Sequence, residues 1–579
     1  MSTGTVARTA GATVLTTLAT AQFLMTLDSS VMNVSIATVA QDVGTDVTGI
    51  QTAITLYTLV MASLMITGGK IGAILGRKRA FAIGCVIYGA GSLTTALAQS
   101  LPVLIFGWSL LEGMGAALIM PAIVALVATN FSAPERPRAY GLVAASGAVA
   151  VATGPLIGGL LTTYASWRWV FAGEVVLVAV ILVLARRMAD AAADADAALD
   201  LVGTALSALG LGLVVLGILK AGTWGFVNPK PGAPSWAGLS PVVWLVAAGT
   251  FVIWAFLAWE NRRLAAGQSA LLDPTMLRIP KLQKGLIAFF FQFLLQAGLF
   301  FCVPLFLSVA LGLSAIDTGL RIMPLSITLL LAAVGVPKLF PQASPRRVVR
   351  VGFLSLFVGI VSLMAALEVG VGAEIVAVPL LLAGLGIGAL ASQLGAVTVS
   401  AVPDEQTGEV GGIQNTFTNL GASIGTALAG AVLISALTSS FFTGIAENEA
   451  IPPSVTSQAQ VELASGIPFV SDVQLEAALA EANVDPAVAT EIVDQNAESR
   501  LTGLRSALAV LALIALVAFF TSGGLPTRQP SSPNPQPEIE TGTEPEIETD
   551  TEPEIETAKD TESQAVPDPE RLVTPPGAH

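Results

Sequence analysis

The chain has 579 residues, 53% of them hydrophobic and only 12% charged, with a mean hydropathy of +0.75. That is too little charge to cover a soluble surface of this size, so an ordinary soluble globular protein is excluded. The one histidine is His579, the last residue, and Cys85 and Cys302 lie far apart inside apolar runs; this leaves no material for a histidine triad, a thiolate metal site or a disulfide framework, and no cofactor or metal is expected.

The formal charge of −14 is unevenly placed. From Arg528 onward there are 13 acids and 3 bases, and Ser440–Arg500 holds 10 acids and 1 base, so the rest of the chain is mildly basic. Nucleic acid is not an expected partner, because phosphate requires clustered Lys and Arg.

In chain order the apolar runs predict fourteen helical spans, at about 14–37, 50–71, 80–98, 101–128, 138–162, 168–187, 201–219, 242–259, 285–311, 317–338, 348–367, 374–397, 411–436 and 504–523. Barrel strands would alternate apolar and polar residues, whereas these runs are apolar on every face. The expected fold is therefore an all-α polytopic membrane protein. The first run is too long for a signal-peptide core and carries an acid, so it reads as an uncleaved span.

Orientation follows from Lys and Arg. With the N-terminus cytoplasmic, only Arg168, Lys220, Lys230, Arg321, Arg500 and Arg505 face outwards, and the other 21 basic residues lie inside. Both termini are then cytoplasmic, and 440–500 is an extracellular insert, either a small surface cap or a site for a lid or partner. The tail repeats Pro-Glu-Ile-Glu-Thr from 537, 545 and 553, and is low-complexity, acidic and expected to be disordered.

Ionisable groups inside spans are the best functional pointers, since a central acid costs about 2.5–3.5 kcal/mol to insert. Three stand out: Asp28 in the first span, Glu112 in the fourth and Glu174 in the sixth. Counted from the outer ends they lie roughly 14, 16 and 9 Å deep. They are expected to share one cavity open to the outer half of the membrane. Burial without a basic partner lets a carboxyl bind and release protons near neutral pH and attract a cationic substrate. More modest roles also fit: Glu174 holding Arg168 or Trp169 at the interface, and Asp28 accepting packing hydrogen bonds. Gln292, Gln296, Gln393, Gln414 and Asn415 offer polar lining in the second half, or interhelical glue. Gly68, Gly72 and Gly76 are spaced by four, as close helix packing requires.

Four segments resemble motifs of the major facilitator superfamily, specifically its fourteen-span drug:proton antiporter branch of multidrug efflux transporters. Leu27-Asp28-Ser29-Ser30-Val31-Met32-Asn33-Val34 is similar to that branch's first-helix Leu-Asp-x-Thr-Ile-Val-Asn-Val. Gly69-Lys70-Ile71-Gly72-Ala73-Ile74-Leu75-Gly76-Arg77-Lys78 resembles the gating loop between helices two and three. Gly147, Gly154, Pro155, Gly158 and Gly159 resemble the fifth-helix antiporter motif, and Trp167-Arg168-Trp169-Val170-Phe171 resembles the opening of helix six. Two departures matter. Ala73 stands where the family usually has an aspartate, and Ser109-Leu110-Leu111-Glu112-Gly113 stands where it usually has Arg-x-x-Gln-Gly, so the usual coupling residues do not carry over, and Glu112 is expected, apart from any family assignment, to be a substitute carrier of coupling.

The resemblance implies two six-helix bundles around a midplane site, with two inserted helices between them. The expected blocks are 1–190 for the first bundle, 191–283 for the inserted helices, 284–526 for the second bundle including the 440–500 insert, and 527–579 for the tail. The function implied is proton-coupled efflux of small amphipathic, cationic compounds across a bacterial plasma membrane. Export or flipping of an endogenous lipid or metabolite is the alternative within transport, and a transport-dead sensor or assembly partner is the alternative outside it. An enzyme is not expected, because no nucleophile–base or metal constellation is present.

Overall fold

A computed structural model describes residues 3–132, 135–190, 198–230, 232–368, 370, 372–402, 407–453, 455–456, 467–482 and 484–527. The sequence reading of the acidic tail falls outside them. Among the described residues the chain is helical, with one isolated bridge between Trp236 and Leu239. Six long helices come first: α1 (Thr3–Val34), α2 (Val47–Leu75), α3 (Arg77–Ala96), α4 (Leu101–Asn130), α5 (Arg136–Tyr164) and α6 (Arg168–Ala185). A pair follows, α7 (Leu201–Trp224) and α8 (Pro241–Ala265). Six more complete the series: α9 (Pro280–Ala310), α10 (Ala315–Leu339), α11 (Pro345–Ala366), α12 (Ala377–Val399), α13 (Thr407–Glu447) and α14 (Pro486–Thr521).

Among the described residues twelve helices are long and apolar enough to cross a bilayer, and α1 with the short helix Ile36–Asp42, bent from it by 75°, makes a thirteenth when the pair is taken as one span. The 20-residue α3 occupies the position expected for the third span but is less apolar than the others. It opens on Arg77-Lys78-Arg79 and is rich in Gly, Ser and Thr, so its length suits a span better than its composition does.

Packing follows one pattern used twice. In the first six helices α1 packs on α5, α2 on α4, and α3 on both α4 and α6. In the last six, α9 packs on α13, α10 on α12, and α11 on both α12 and α14. The two sets meet through α2 against α13 and α5 against α10, pairs that the same repeat interchanges. The α7–α8 hairpin packs against α2 and α13 through α7. Its open end, opposite the 225–240 turn, is pinned by Asp200, which caps α7, accepts from Trp259 at 2.7 Å and lies 3.3 Å from Arg263.

Hydrogen bonds between the two sets gather toward one end. Gln51 Nε2 donates to the Thr426 and Ala427 carbonyls at 3.1 and 3.3 Å, and Ser423 Oγ to the Thr55 carbonyl at 3.0 Å. The Ile316 amide donates to Thr163 Oγ1 at 3.1 Å, and Ser326 Oγ to the Val151 carbonyl at 3.3 Å. The end that holds Gln51, Thr163 and Ile316 is the one expected to face outwards. Val176, Phe251, Trp254, Leu331 and Leu513 are exposed on the outer helix faces. Such a surface is a liability in water but matches hydrocarbon, where buried polar backbone is satisfied within each helix.

The 440–500 segment is less an insertion than its composition suggests. α13 runs on to Glu447 and α14 begins at Pro486, so both helices continue into it. At 1.5 Å per residue the 41-residue α13 is about 60 Å long, twice a hydrocarbon core of about 30 Å. Between them a short helix, Asp472–Glu481, starts in a Ser471/Gln474 capping box and packs on α14. The Arg500 guanidinium, 2% exposed, pairs with Asp472 and donates to the Val470 carbonyl at 2.7 Å. The start of α14 was legible in Asp485-Pro486, a cap followed by proline at the first helical position. A hydropathy reading misses it because that turn is polar.

Candidate functional site

The site begins with an irregularity in α4. Residues Ile105–Glu112 wind as a π-helical turn, and the helix resumes an α pitch at Gly113. Such bulges turn side chains out of the register an α-helix would give them and recur at functional sites. Here the turn holds both Trp108 and Glu112 in the interior of the first bundle, at 1% and 0% exposure. α3 lies close enough to receive them because it offers glycine at 91, where a Cβ would meet Glu112 Cγ at 2.6 Å and the Gly107 carbonyl at 2.7 Å.

The carboxyl groups of Asp28 from α1, Glu112 from α4 and Glu174 from α6 converge, with one oxygen from each lying within 4.8 Å of the others. Each has a defined donor. Trp108 Nε1–H donates to both Asp28 oxygens, at 2.8 and 3.0 Å, and the indole stacks on Tyr57 with ring centroids 4.9 Å apart. Thr95 Oγ1 donates to Glu112 Oε1 at 3.1 Å, and Ser92 Oγ to Glu174 Oε2 at 3.1 Å. The Tyr57 and Tyr88 hydroxyls face the Asp28 carboxyl without closing a hydrogen bond. No Lys, Arg or His acts on these acids among the described residues.

Two sequence expectations are refined by this geometry. The three acids do come together, but inside the first bundle, walled by α1, α2, α3, α4 and α6. They are sealed at 0–1% exposure and do not line an open cavity. Glu174 holds neither Arg168 nor Trp169. Arg168 is engaged by Asp42 at 2.6 Å and by the Ala98 carbonyl at 2.7 Å, and lies over the Trp167 ring. Three ionised carboxylates at this spacing repel by about 3–4 kcal/mol per pair even at an effective dielectric near 20, so the cluster cannot carry three full charges without a cation or water.

The other motif residues are placed as follows. Gly76 has φ +96, a conformation that favours glycine, and ends α2 so that Arg77 Nη1 turns back to the Gly69 carbonyl at 2.7 Å. Lys78 Nζ donates to the carbonyls of Arg186 and Met188 at 2.9 and 2.7 Å. Ala73 leaves the usual loop acid missing, and Asp190 brings a carboxylate to the start of α3, accepting from the Lys78 amide at 2.9 Å. An anion is favoured there by the helix dipole. In α5, Gly154 and Gly158 lie against Ser30 and Val31 of α1, Gly147 beside Gln22, and Gly159 against the Ala315 carbonyl of α10. The carbonyl of Pro155 lies against Gly319.

Of the second-half amides, Gln414 accepts from Thr398 of α12 at 2.8 Å and so acts as interhelical glue, whereas Asn415 donates within its own helix to Gly411. Gln292 is buried with its Oε1 unpartnered. Sequence reasoning missed Tyr57, Tyr88, Ser92, Thr95, Trp108 and Asp190. Trp108 was within reach, being four residues before Glu112 and therefore on its side of an α-helix. The tyrosines were too: two of only four in the chain sit in mid-span.

The Major Facilitator Superfamily profile matches residues 18–426, most of the helical region. The chain belongs to this superfamily. It is a multi-pass membrane transporter, not an enzyme. It is similar to the puromycin resistance protein pur8 of Streptomyces alboniger, 30% identical over 72% of this chain and 80% of that one. It is also similar to the tetracenomycin C resistance and export protein of Streptomyces glaucescens, 27% identical over 73% and 76%. Among solved structures, a bacterial homologue of the human lysosomal transporter Spinster, in an inward-facing and unoccupied conformation, superposes with a TM-score of 0.53 at 14% identity, covering 89% of this transporter and 98% of that chain. That likeness supports the all-helical facilitator fold.

Proposed function

We propose that this transporter exports small amphipathic, cationic compounds in exchange for protons, with Asp28, Glu112 and Glu174 as the proton-binding element. The observation that carries this reading is the sealed three-carboxyl cluster without a basic partner, on a chain whose relatives are named for antibiotic resistance and export. A buried acid that exchanges its proton as the bundle opens and closes couples proton movement to alternating access. Gly147, Gly154, Pro155, Gly158 and Gly159 serve as the packing seam along α5, and Gly69, Gly72, Gly76, Arg77 and Lys78 as the inner gate. Inverted membrane vesicles containing the transporter are expected to accumulate members of a dye-and-drug panel when acidified inside, and to lose them when a protonophore collapses the gradient. Accumulation that ignores the protonophore removes proton coupling, and no accumulation of any compound removes export.

The orientation proposed places both termini, and the loop between α10 and α11, in the cytoplasm of a bacterial cell. Single cysteines at Ala477 and Gln342, both exposed, test it, with Cys85 and Cys302 buried and silent. An impermeant thiol reagent added to intact cells is expected to label Ala477→Cys at least about tenfold more than Gln342→Cys, the contrast that an impermeable bilayer imposes. The reverse ratio inverts the topology.

A further inference from the structure

Among the described residues, four buried polar atoms around the acid cluster have no partner: Glu112 Oε2, Glu174 Oε1 and the hydroxyls of Tyr57 and Tyr88. They surround the acid cluster from four helices: α2 (Tyr57), α3 (Tyr88), α4 (Glu112) and α6 (Glu174). The carboxyls there are not equivalent. Asp28 receives the Trp108 N–H on both oxygens, an arrangement that supports a carboxylate anion. Glu112 and Glu174 each pair through one oxygen with a hydroxyl, of Thr95 and Ser92, whose single proton also reaches the Gly91 or Tyr88 carbonyl, and each leaves its other oxygen empty. An empty buried carboxyl oxygen is where a proton sits, because a protonated acid becomes a donor itself, and the Tyr88 hydroxyl faces Glu174 as an acceptor. The charged and titratable groups facing the cluster are Asp28 from α1, Tyr57 from α2, Tyr88 from α3, Glu112 from α4 and Glu174 from α6.

We infer that the cluster is one site for two exchangeable protons, carried by Glu112 and Glu174 around a fixed Asp28 anion, so that each export cycle moves two protons inward. This rests on the proton-exchange reading above and adds its stoichiometry and division of labour. Loading adds one O–H bond on each glutamate and leaves the cluster with a single negative charge. Unloading passes both protons to cytoplasmic water and leaves three anions, which only water or a cation supports. Release therefore requires the bundle to open, and that requirement ties proton loss to the conformational change.

The inference is tested without knowing the substrate, by infrared spectroscopy of the purified full-length protein near neutral pH. Carbonyl stretches of protonated carboxylic acids are compared between wild type and single variants. Glu112→Gln and Glu174→Gln are each expected to remove one band, and Asp28→Asn none. Thr95→Val and Ser92→Ala shift only the Glu112 and Glu174 bands, respectively, which keeps the assignment open to test if a glutamine variant does not fold. A band lost in Asp28→Asn, or a band lost in only one of the two glutamine variants, overturns the two-carrier arrangement. Bands that emerge only after a chelator is added also overturn it, since they would mark a metal cation in place of the protons. If both bands behave as expected but a pH gradient drives no transport, the antiport reading fails and the two-proton site stands. If the gradient drives transport with one band present, this inference alone fails.

Discussion

Replacing Glu112 by glutamine is expected to leave the transporter in the membrane in normal amount and to lower gradient-driven export by about tenfold or more, a loss worth about 1.4 kcal/mol or more of coupling. The substitution preserves the Oε1 acceptor used by Thr95 and replaces an exchangeable carboxyl proton with an amide that cannot release one. The new amide N–H donors face Asp28 and Glu174, so thermal stability should hold or rise. Substrate exchange without a gradient should survive, because exchange need not complete the proton cycle. Export under a pH gradient at the wild-type rate and pH dependence would take Glu112 out of the mechanism. Asp28→Asn should act differently. It leaves the glutamates neutral, strands the Trp108 N–H beside an amide, and weakens cationic substrates more than neutral ones if the anion's field reaches the translocation path.

The second large effect is expected at Gly159, outside the acid cluster. A Cβ there meets the Ala315 carbonyl oxygen at 2.6 Å and Ile316 Cα at 2.8 Å, both backbone atoms that cannot rotate aside. Gly159→Leu therefore pushes α5 from α10 at the contact between the two sets of six helices. Overpacking of this kind costs about 1–3 kcal/mol, and since the cost falls on the closed arrangement it shifts the conformational equilibrium by about 5- to 150-fold. Export should drop accordingly while expression is retained. A cysteine pair at Thr163 and Ile316, which are hydrogen-bonded neighbours in the wild type, should cross-link less in this variant. Undiminished cross-linking together with undiminished export would show that the contact does not form during the cycle.

The fold was legible because bilayer length and hydropathy constrain a spanning helix so tightly that spans such as 101–128 and 168–187 fall within a few residues of α4 and α6. Where hydropathy was a poor guide, other physics was at work. α13 and α14 leave the apolar slab and continue as helices because local capping and packing on Phe469 and Ile467 hold them, which a hydropathy window does not register. The acids themselves were legible, since each stands as an isolated charge in an apolar span. Their meeting was expected from similar depth, but their sealing among α1, α2, α3, α4 and α6, away from any open cavity, was not. Depth counted along a straight α-helix ignores both the π turn before Glu112 and the rotation of each helix about its axis. Asp190 was invisible for a related reason: it lies more than a hundred residues from the Lys78 amide it accepts from.

The overlong α13 has a mechanical consequence. The same rod contributes Ser423, Thr426 and Ala427 to the contact with α2, and α14, which packs along it, carries the cap through Arg500. A rod pivoting near its middle turns a small angular motion at the seam into a larger sweep at its tip. The short helix Asp472–Glu481 thus rides at the end of a built-in pointer. A fluorophore at Ala477, read against one at the outer end of α5, would report each swing of the second bundle from a position that touches neither substrate nor seam.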